Sequence, residues 1–175
     1  GYIPPAYRTD CQASVGTWGS PPSGPMPNRG YQGGHLIATS LGGTHRRYNL
    51  TPQAYDINVS SFQRIENGIR SCARRSDRLV AYSVTPVYDA FRNPFSSIGV
   101  TPIAYIVGAE VRKQCSPGDY RCGGGSVAFT VPNWTSASGG MWVGPAPGHP
   151  PLQSSLSMIN RAVDAWVAEV AQYCQ

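Results

Sequence analysis

The sequence is poor in lysine, in clustered metal ligands and in long apolar runs. Of its 14 basic residues only Lys113 is a lysine, and the rest are arginines. The longest apolar runs, such as residues 103–107, are much shorter than a membrane span, so no membrane association is expected. The three histidines are scattered and no C-x-x-C spacing occurs, which argues against structural zinc because that site needs four clustered ligands.

Positive charge is the most informative bulk property. The 14 basic residues outnumber nine acidic ones, which gives a net charge of +5 and an isoelectric point near 9.1. Arginine can bind phosphate oxygens through two parallel hydrogen bonds, so an arginine-rich basic protein suits phosphate-containing partners. A genome composition that favours arginine explains the same bias, and composition alone does not separate the two explanations.

Five cysteines in 175 residues indicate an oxidising compartment, and hence a secreted protein. Cys115 and Cys122 bracket a turn-rich segment that can bring their Cα atoms within disulfide distance, and we predict a bond between them. The partners of Cys11, Cys72 and Cys174 stay open, since an odd total leaves at least one cysteine without an intrachain partner.

Length and residue pattern predict one α+β domain over residues 1–175. The length suits one hydrophobic core. Dense proline and glycine in residues 1–34 predict extended loops there. Runs rich in valine, isoleucine and tyrosine predict strands of a mixed or antiparallel sheet, and helical periodicity predicts packed helices. The strands are expected at 79–88, 99–111 and 126–131, with a turn at 89–94 and a short strand end at 35–38, and the helices at 52–75 and 152–173.

The first predicted helix carries polar residues on its apolar face. A rotation of about 100° per residue places an apolar stripe along it. Asn58, Glu66 and Arg70 lie in or beside that stripe and therefore point toward the core. Buried polar groups must find partners, so a hydrogen-bond network that only fixes the helix and a functional site are the two explanations. The residues of the stripe are Tyr55, Val59, Phe62, Ile65 and Ile69.

The residues around this helix form an ordered motif. Residues 33–38 read Gly-Gly-His-Leu-Ile-Ala, residues 49–53 read Asn-Leu-Thr-Pro-Gln, and Asn58, Glu66 and Arg70 follow. This order resembles the DNA/RNA non-specific endonuclease family of ββα-metal nucleases, whose motif is D-R-G-H, then N-L-x-P-Q, then Asn with Glu eight and Arg twelve residues further on. With similar later strands, the resemblance covers about residues 29–111.

The resemblance implies a ββα-metal finger and a role for each motif residue. His35 would be the general base that takes a proton from water. Asn58 would be the direct protein ligand of Mg²⁺, for which Mn²⁺ would substitute. Glu66 would orient metal-bound water, and Arg70 would neighbour the phosphate or brace Glu66. Asn49 would hold His35 or the hairpin in place, with a simple loop cap as the equal alternative.

Two positions depart from the family motif. The arginine expected two residues before the catalytic histidine is Gly33 here, and the aspartate expected three before it is Gln32. The missing arginine would stabilise negative charge developing on phosphorus. Either another residue replaces it or turnover suffers, and among the candidates Arg29 is favoured over Arg46 and Arg47.

The predicted function is that of a secreted, Mg²⁺-dependent nuclease that cleaves DNA and RNA with little regard for sequence. Two alternatives stay open: a toxin domain neutralised by an immunity protein, and a non-catalytic module that binds nucleic acid or another polyanion on the same scaffold. His45 and His149 are interpreted as surface or structural histidines.

Overall fold

Residues 31–88, 102–133 and 156–175 are described by a computed structural model. Two antiparallel sheets are present in this part of the chain, a hairpin of β1 and β2 and a three-stranded sheet in the order β3-β4-β5. The predicted α+β class is confirmed. The elements are β1 (Tyr31–His35), β2 (Leu50–Ala54), a π-helical segment (Ile57–Phe62), α1 (Gln63–Ala73), β3 (Arg78–Val87), β4 (Ala104–Lys113), β5 (Gly124–Pro132) and α2 (Leu156–Tyr173).

The central strand β4 shows why the sheet forms. Its side chains alternate between a buried face and an open one, as expected for a sheet covered on one side. Tyr105 and Val107 are fully buried, whereas Ile106 between them is 45% exposed. The helices α1 and α2 cover the buried face, and both contribute to one core with β4 and β5.

The C-terminal helix and the three sheet strands form close to where the periodicity predicts them. In α2 the buried residues recur every three or four positions, which is the spacing of one helix face. These residues are Ile159, Val163, Trp166 and Val170.

The structure corrects two boundaries near the N-terminal side. Residues 31–34, predicted as loop, belong to strand β1, and Pro52, predicted to begin a helix, lies in the middle of β2. The helix begins only at Tyr55. Within the described residues β2 has a strand neighbour on one side only, which is the setting in which a sheet tolerates a residue without an N–H.

The start of the helix also departs from the predicted face. Residues Ile57–Phe62 are π-helical, and the wider turn of a π-helix shifts which residues face the core. Ile57 and Ser61 are buried, while Val59 is 41% exposed, so the prediction that Val59 belongs to the apolar stripe is wrong. From Phe62 onward the predicted stripe holds.

The side chain of Asn133 joins the hairpin to the sheet. Its amide nitrogen donates to the carbonyls of Pro52 and Pro102 at 2.9 and 2.8 Å, and its Oδ1 accepts the Ala54 N–H at 2.7 Å. The Tyr105 hydroxyl donates to the Pro52 carbonyl at 3.1 Å. Strand β2 is therefore held from both the end of β5 and the start of β4.

Helix α2 lies against α1 at close range. A Cβ added at Gly68 would stand 2.7 Å from Val167 Cγ1, so glycine at this position permits the approach. Arg64 donates to both carboxylate oxygens of Asp164 at 2.9 Å across the exposed edge of the pair. The two helices are therefore held together by close apolar packing and by an ion pair.

The side chain of Asn160 in α2 forms two hydrogen bonds with the π-helical segment. Its Oδ1 accepts the Ser61 hydroxyl at 2.8 Å, and its amide nitrogen donates to the Ser60 hydroxyl at 2.8 Å. The two serines stand two and three residues after Asn58 in the same segment. Helix α2 therefore holds the part of the chain that carries the predicted metal ligand.

Two disulfides are present in the described residues. Cys115 and Cys122 are joined, as the sequence predicts, and Cys72 in α1 is joined to Cys174 just after α2. The bond between Cys72 and Cys174 supplies a pairing that the sequence leaves open. It connects the two packed helices covalently.

Several predictions concern residues outside the described ranges: Arg29, Cys11, His149, Leu152 and the turn at 89–94. Among the described helices, none combines the length and the apolar character required to cross a membrane.

Removing the Cys72–Cys174 bond should destabilise the protein more than removing the Cys115–Cys122 bond. The first closes a sequence separation of 102 residues and the second one of 7. Loop-closure entropy then predicts a loss of about 4–5 kcal/mol for the first double cysteine-to-alanine variant and about 2–3 kcal/mol for the second. Urea unfolding of both variants measures this difference, and an equal or reversed order would contradict it.

Candidate active site

His35 stands at the last position of β1, opposite Leu50 of β2. Its backbone carbonyl accepts a hydrogen bond of 3.3 Å from the amide nitrogen of Gln53, whose side chain is fully buried. A Cβ on Gly34 would collide with the Gln53 side chain. Glycine at position 34 therefore leaves space for the Gln53 side chain, which donates a hydrogen bond to the backbone carbonyl of His35.

The ring of His35 contacts the ring of His45. His35 Nε2 and His45 Nδ1 are 2.8 Å apart, and the two rings meet edge to face. His45 is only 8% exposed, so of the two interpretations, surface or structural, the structure excludes the first. The sequence carries little signal for this contact, because His45 stands alone between the polar residues Thr44 and Arg46.

Asn49 organises the loop between the two hairpin strands. Its side chain accepts the Ile37 N–H at 3.0 Å and donates to the carbonyls of Ile37 and Thr44, each at 2.8 Å. Ile37 lies two residues after His35, and Thr44 directly precedes His45. Asn49 therefore fixes the backbone beside both histidines.

Asn58 lies in the π-helical segment and contacts strand β1. Its amide nitrogen donates to Gln32 Oε1 at 3.1 Å. Since the nitrogen is engaged there, a cation would bind the other end of the amide, Oδ1. Gln32 is one of the two departures from the family motif. The side-chain carbonyl of Gln32 accepts this hydrogen bond, as an aspartate carboxylate at the same position could. Glutamine in place of aspartate therefore preserves a hydrogen-bond acceptor for Asn58.

Glu66 lies on α1 in a half-buried position. Burial raises the pKa of its carboxyl to about 7, and the nearby Arg70 guanidinium opposes this rise only in part. Tyr82 of β3 lies near Glu66. Burial raises the pKa of the Tyr82 hydroxyl, and the negative charge of the Glu66 carboxylate raises it further. Within the described residues that hydroxyl is buried without a hydrogen-bond partner. Glu66 is therefore a desolvated carboxylate that a nearby cation would stabilise.

Arg70 follows Glu66 by one helical turn. Its guanidinium donates to Ser40 Oγ and, at 3.2 Å, to Asn67 Oδ1, and its Nε is buried without a partner in the described part of the chain. Its charge also lowers the pKa of Glu66, so Arg70 acts on that carboxyl through its charge while its hydrogen bonds go to Ser40 and Asn67.

The donors in this region fit a hard divalent cation. Among the described residues no group of three or more histidine, cysteine, aspartate or glutamate side chains could hold a metal ion. Asn58 and Glu66 offer an amide oxygen and a carboxylate, which are the donor types that Mg²⁺ takes, usually together with several waters. A cation near Glu66 would also offset the desolvation of that carboxylate.

A hairpin followed by a helix, with histidine at the end of the first strand and an amide and a carboxylate on the helical part, defines a ββα unit. A sequence profile for DNA/RNA non-specific endonucleases matches residues 4–101. Because this match spans more than half of the chain, the protein belongs to the DNA/RNA non-specific endonuclease family, and the resemblance drawn from the motif is confirmed. No curated protein matches the chain.

Gly34→Ala should destabilise the protein through its collision with Gln53. Overpacking of this kind costs about 1–3 kcal/mol. In the variant Gly34→Ala/Gln53→Ala the collision is gone, so the double variant should lose less stability than the sum of the single variants. Denaturant unfolding of all four proteins gives the coupling energy, and strict additivity would show that Gln53 is not the residue that requires glycine.

Glu66→Gln should change how stability depends on pH in the presence of a chelator. The folded pKa of Glu66, about 7, lies above its ordinary value of 4.5, so the folded state holds a proton that the unfolded state releases between these values. The contribution of Glu66 to stability therefore falls as pH rises from 4.5 to about 7, and Glu66→Gln should lack this fall.

Urea unfolding at intervals from pH 4 to 8 measures the effect. The stability difference between Glu66→Gln and wild type should grow in favour of the variant up to about pH 7 and then stay level. Glu169→Gln, at an exposed position on α2, is the matched control. A pH-independent difference for Glu66→Gln would contradict the raised pKa.

Proposed function

We propose that this protein is a secreted, Mg²⁺-dependent nuclease that hydrolyses phosphodiester bonds of DNA and RNA without sequence preference. Family membership supports cleavage of nucleic acid. The observation that carries the finer proposal is the hydrogen bond between Asn58 and Gln32. It docks the metal-ligand candidate on the strand that ends at His35, three residues or about 10 Å further along.

In this mechanism His35 is the general base. Its ring takes a proton from the attacking water, the new bond forms between that water oxygen and phosphorus, and the bond from phosphorus to the 3′ oxygen breaks. The product then carries a 5′-phosphate, as the family resemblance implies. A divalent cation at Asn58 would neutralise charge on the phosphate and on the leaving oxygen. Glu66 would orient water at that site, and Arg70 would neighbour the phosphate or brace Glu66.

The loop that carries His45 also offers a surface for substrate. Arg46, Arg47 and Tyr48 are consecutive and exposed, with Tyr48 73% exposed. Arginine binds phosphate and tyrosine stacks on any base, so this combination supports binding that is blind to sequence. Arg46 and Arg47 stay candidates to replace the arginine missing at Gly33, together with Arg29, which the sequence favours.

Cleavage should require a divalent metal and should separate the roles of His35 and Asn58. Circular plasmid and total RNA incubated with the protein should both be cut with Mg²⁺ or Mn²⁺ and left intact with excess chelator. His35→Ala should lower turnover by about 10²–10⁴ because the proton acceptor is lost. Asn58→Ala should regain part of its lost rate at high Mg²⁺, whereas His35→Ala should not.

Val59→Ala is the matched control for Asn58→Ala, since Val59 is its exposed neighbour. Full cleavage in excess chelator would refute the metal-dependent mechanism. Tight binding of DNA and RNA without cleavage under any metal would instead support a non-catalytic module. A toxin held by an immunity protein would show the same chemistry, and inhibition by a co-purified partner would distinguish it.

A further inference from the structure

Beyond the proposed base and metal ligand, we propose that His45 is a positioning residue that sets the tautomer of His35. The contact of 2.8 Å between His35 Nε2 and His45 Nδ1 carries this inference. It rests on the proposed function in one respect, because the tautomer matters for catalysis only if His35 is the general base.

Two neutral imidazole rings at this distance allow two arrangements of protons. Either His35 Nε2–H donates to His45 Nδ1, or His45 Nδ1–H donates to His35 Nε2. In the first arrangement both rings carry their proton on Nε2, which is the tautomer that neutral histidine prefers in water. In the second arrangement both rings carry it on Nδ1. The proposed arrangement is the first, which agrees with that intrinsic preference.

The first arrangement makes His35 competent as a base. With the Nε2 proton directed at His45, the lone pair of His35 lies on Nδ1, so that nitrogen accepts the proton of the attacking water. Once Nδ1 is protonated, the ring is positively charged and its hydrogen bond to neutral His45 becomes charge-assisted and stronger. His45 thus stabilises the state that forms as water is deprotonated.

The loop holds His45 at the position that this role needs. The carbonyl before it, of Thr44, accepts the Asn49 amide at 2.8 Å, and the same side chain bonds both backbone groups of Ile37 beyond His35. The Leu36 N–H also donates to the Asn49 carbonyl at 2.9 Å. The two histidines are therefore joined through one buried asparagine as well as through their rings.

The test compares His45→Asn with His45→Leu. Asparagine places its Oδ1 close to where histidine carries Nδ1 and so keeps an acceptor for His35, while leucine keeps apolar volume without an acceptor. His45→Leu should lower kcat by about 10- to 100-fold, the range typical of losing a group that orients a metal-bound histidine, with little change in KM. His45→Asn should stay within about threefold of the wild-type kcat.

The tautomer itself is read from ¹⁵N chemical shifts of the His35 ring, which need no activity. Wild type and His45→Asn should show a protonated Nε2 and an unprotonated Nδ1 on His35, and His45→Leu should show a mixture. A wild-type His35 protonated on Nδ1, or equal kcat losses in both variants, would overturn the proposal. Wild-type kcat in a folded His45→Leu would also overturn it.

The two levels of inference fail separately. If His35→Ala retains activity, the base assignment fails, while the His35 chemical shifts still decide whether His45 sets the tautomer. If His45→Leu does not fold, the wild-type shifts and the kcat of His45→Asn decide the question.

Discussion

The hydrogen bonds of one buried amide, Asn133, determine where the active-site hairpin lies. Two short strands are at best marginally stable alone, so β1 and β2 need an anchor. Asn133 supplies it by bonding backbone groups on both sides of Gln53, and Gln53 in turn bonds the His35 carbonyl. The position of the histidine ring therefore depends on a side chain about 100 residues further along the chain.

Features that depend on adjacent or periodic residues can be predicted from the sequence, whereas features that depend on contacts between distant residues cannot. Local patterns predict the sheet strands and α2, and the spacing of His35, Asn58 and Glu66 indicates the family, because each signal lies in adjacent or periodic residues. Pro52 was misplaced because proline is also a good first residue of a helix, and its role in β2 depends on distant partners. His45 was missed because nothing local distinguishes a buried histidine from a surface one.

The part of the chain beyond the family match completes the site. Residues 4–101 contain the hairpin, the π-helical segment, α1 and β3, but β4, β5 and α2 lie outside that match. From these elements Tyr105 holds β2, and Asn160 holds the serines beside Asn58. A motif can therefore identify the chemistry of the domain while the residues that keep it rigid remain outside the motif.

The bond between Cys72 and Cys174 makes the stability of the protein against unfolding depend on the redox conditions of its compartment. In a reducing cytosol the two cysteines remain thiols, and within the described residues α1 is held to α2 by packing and by the Arg64–Asp164 ion pair. In an oxidising environment the same helices are covalently joined. The chain therefore gains its full resistance to unfolding only where the two thiols can be oxidised.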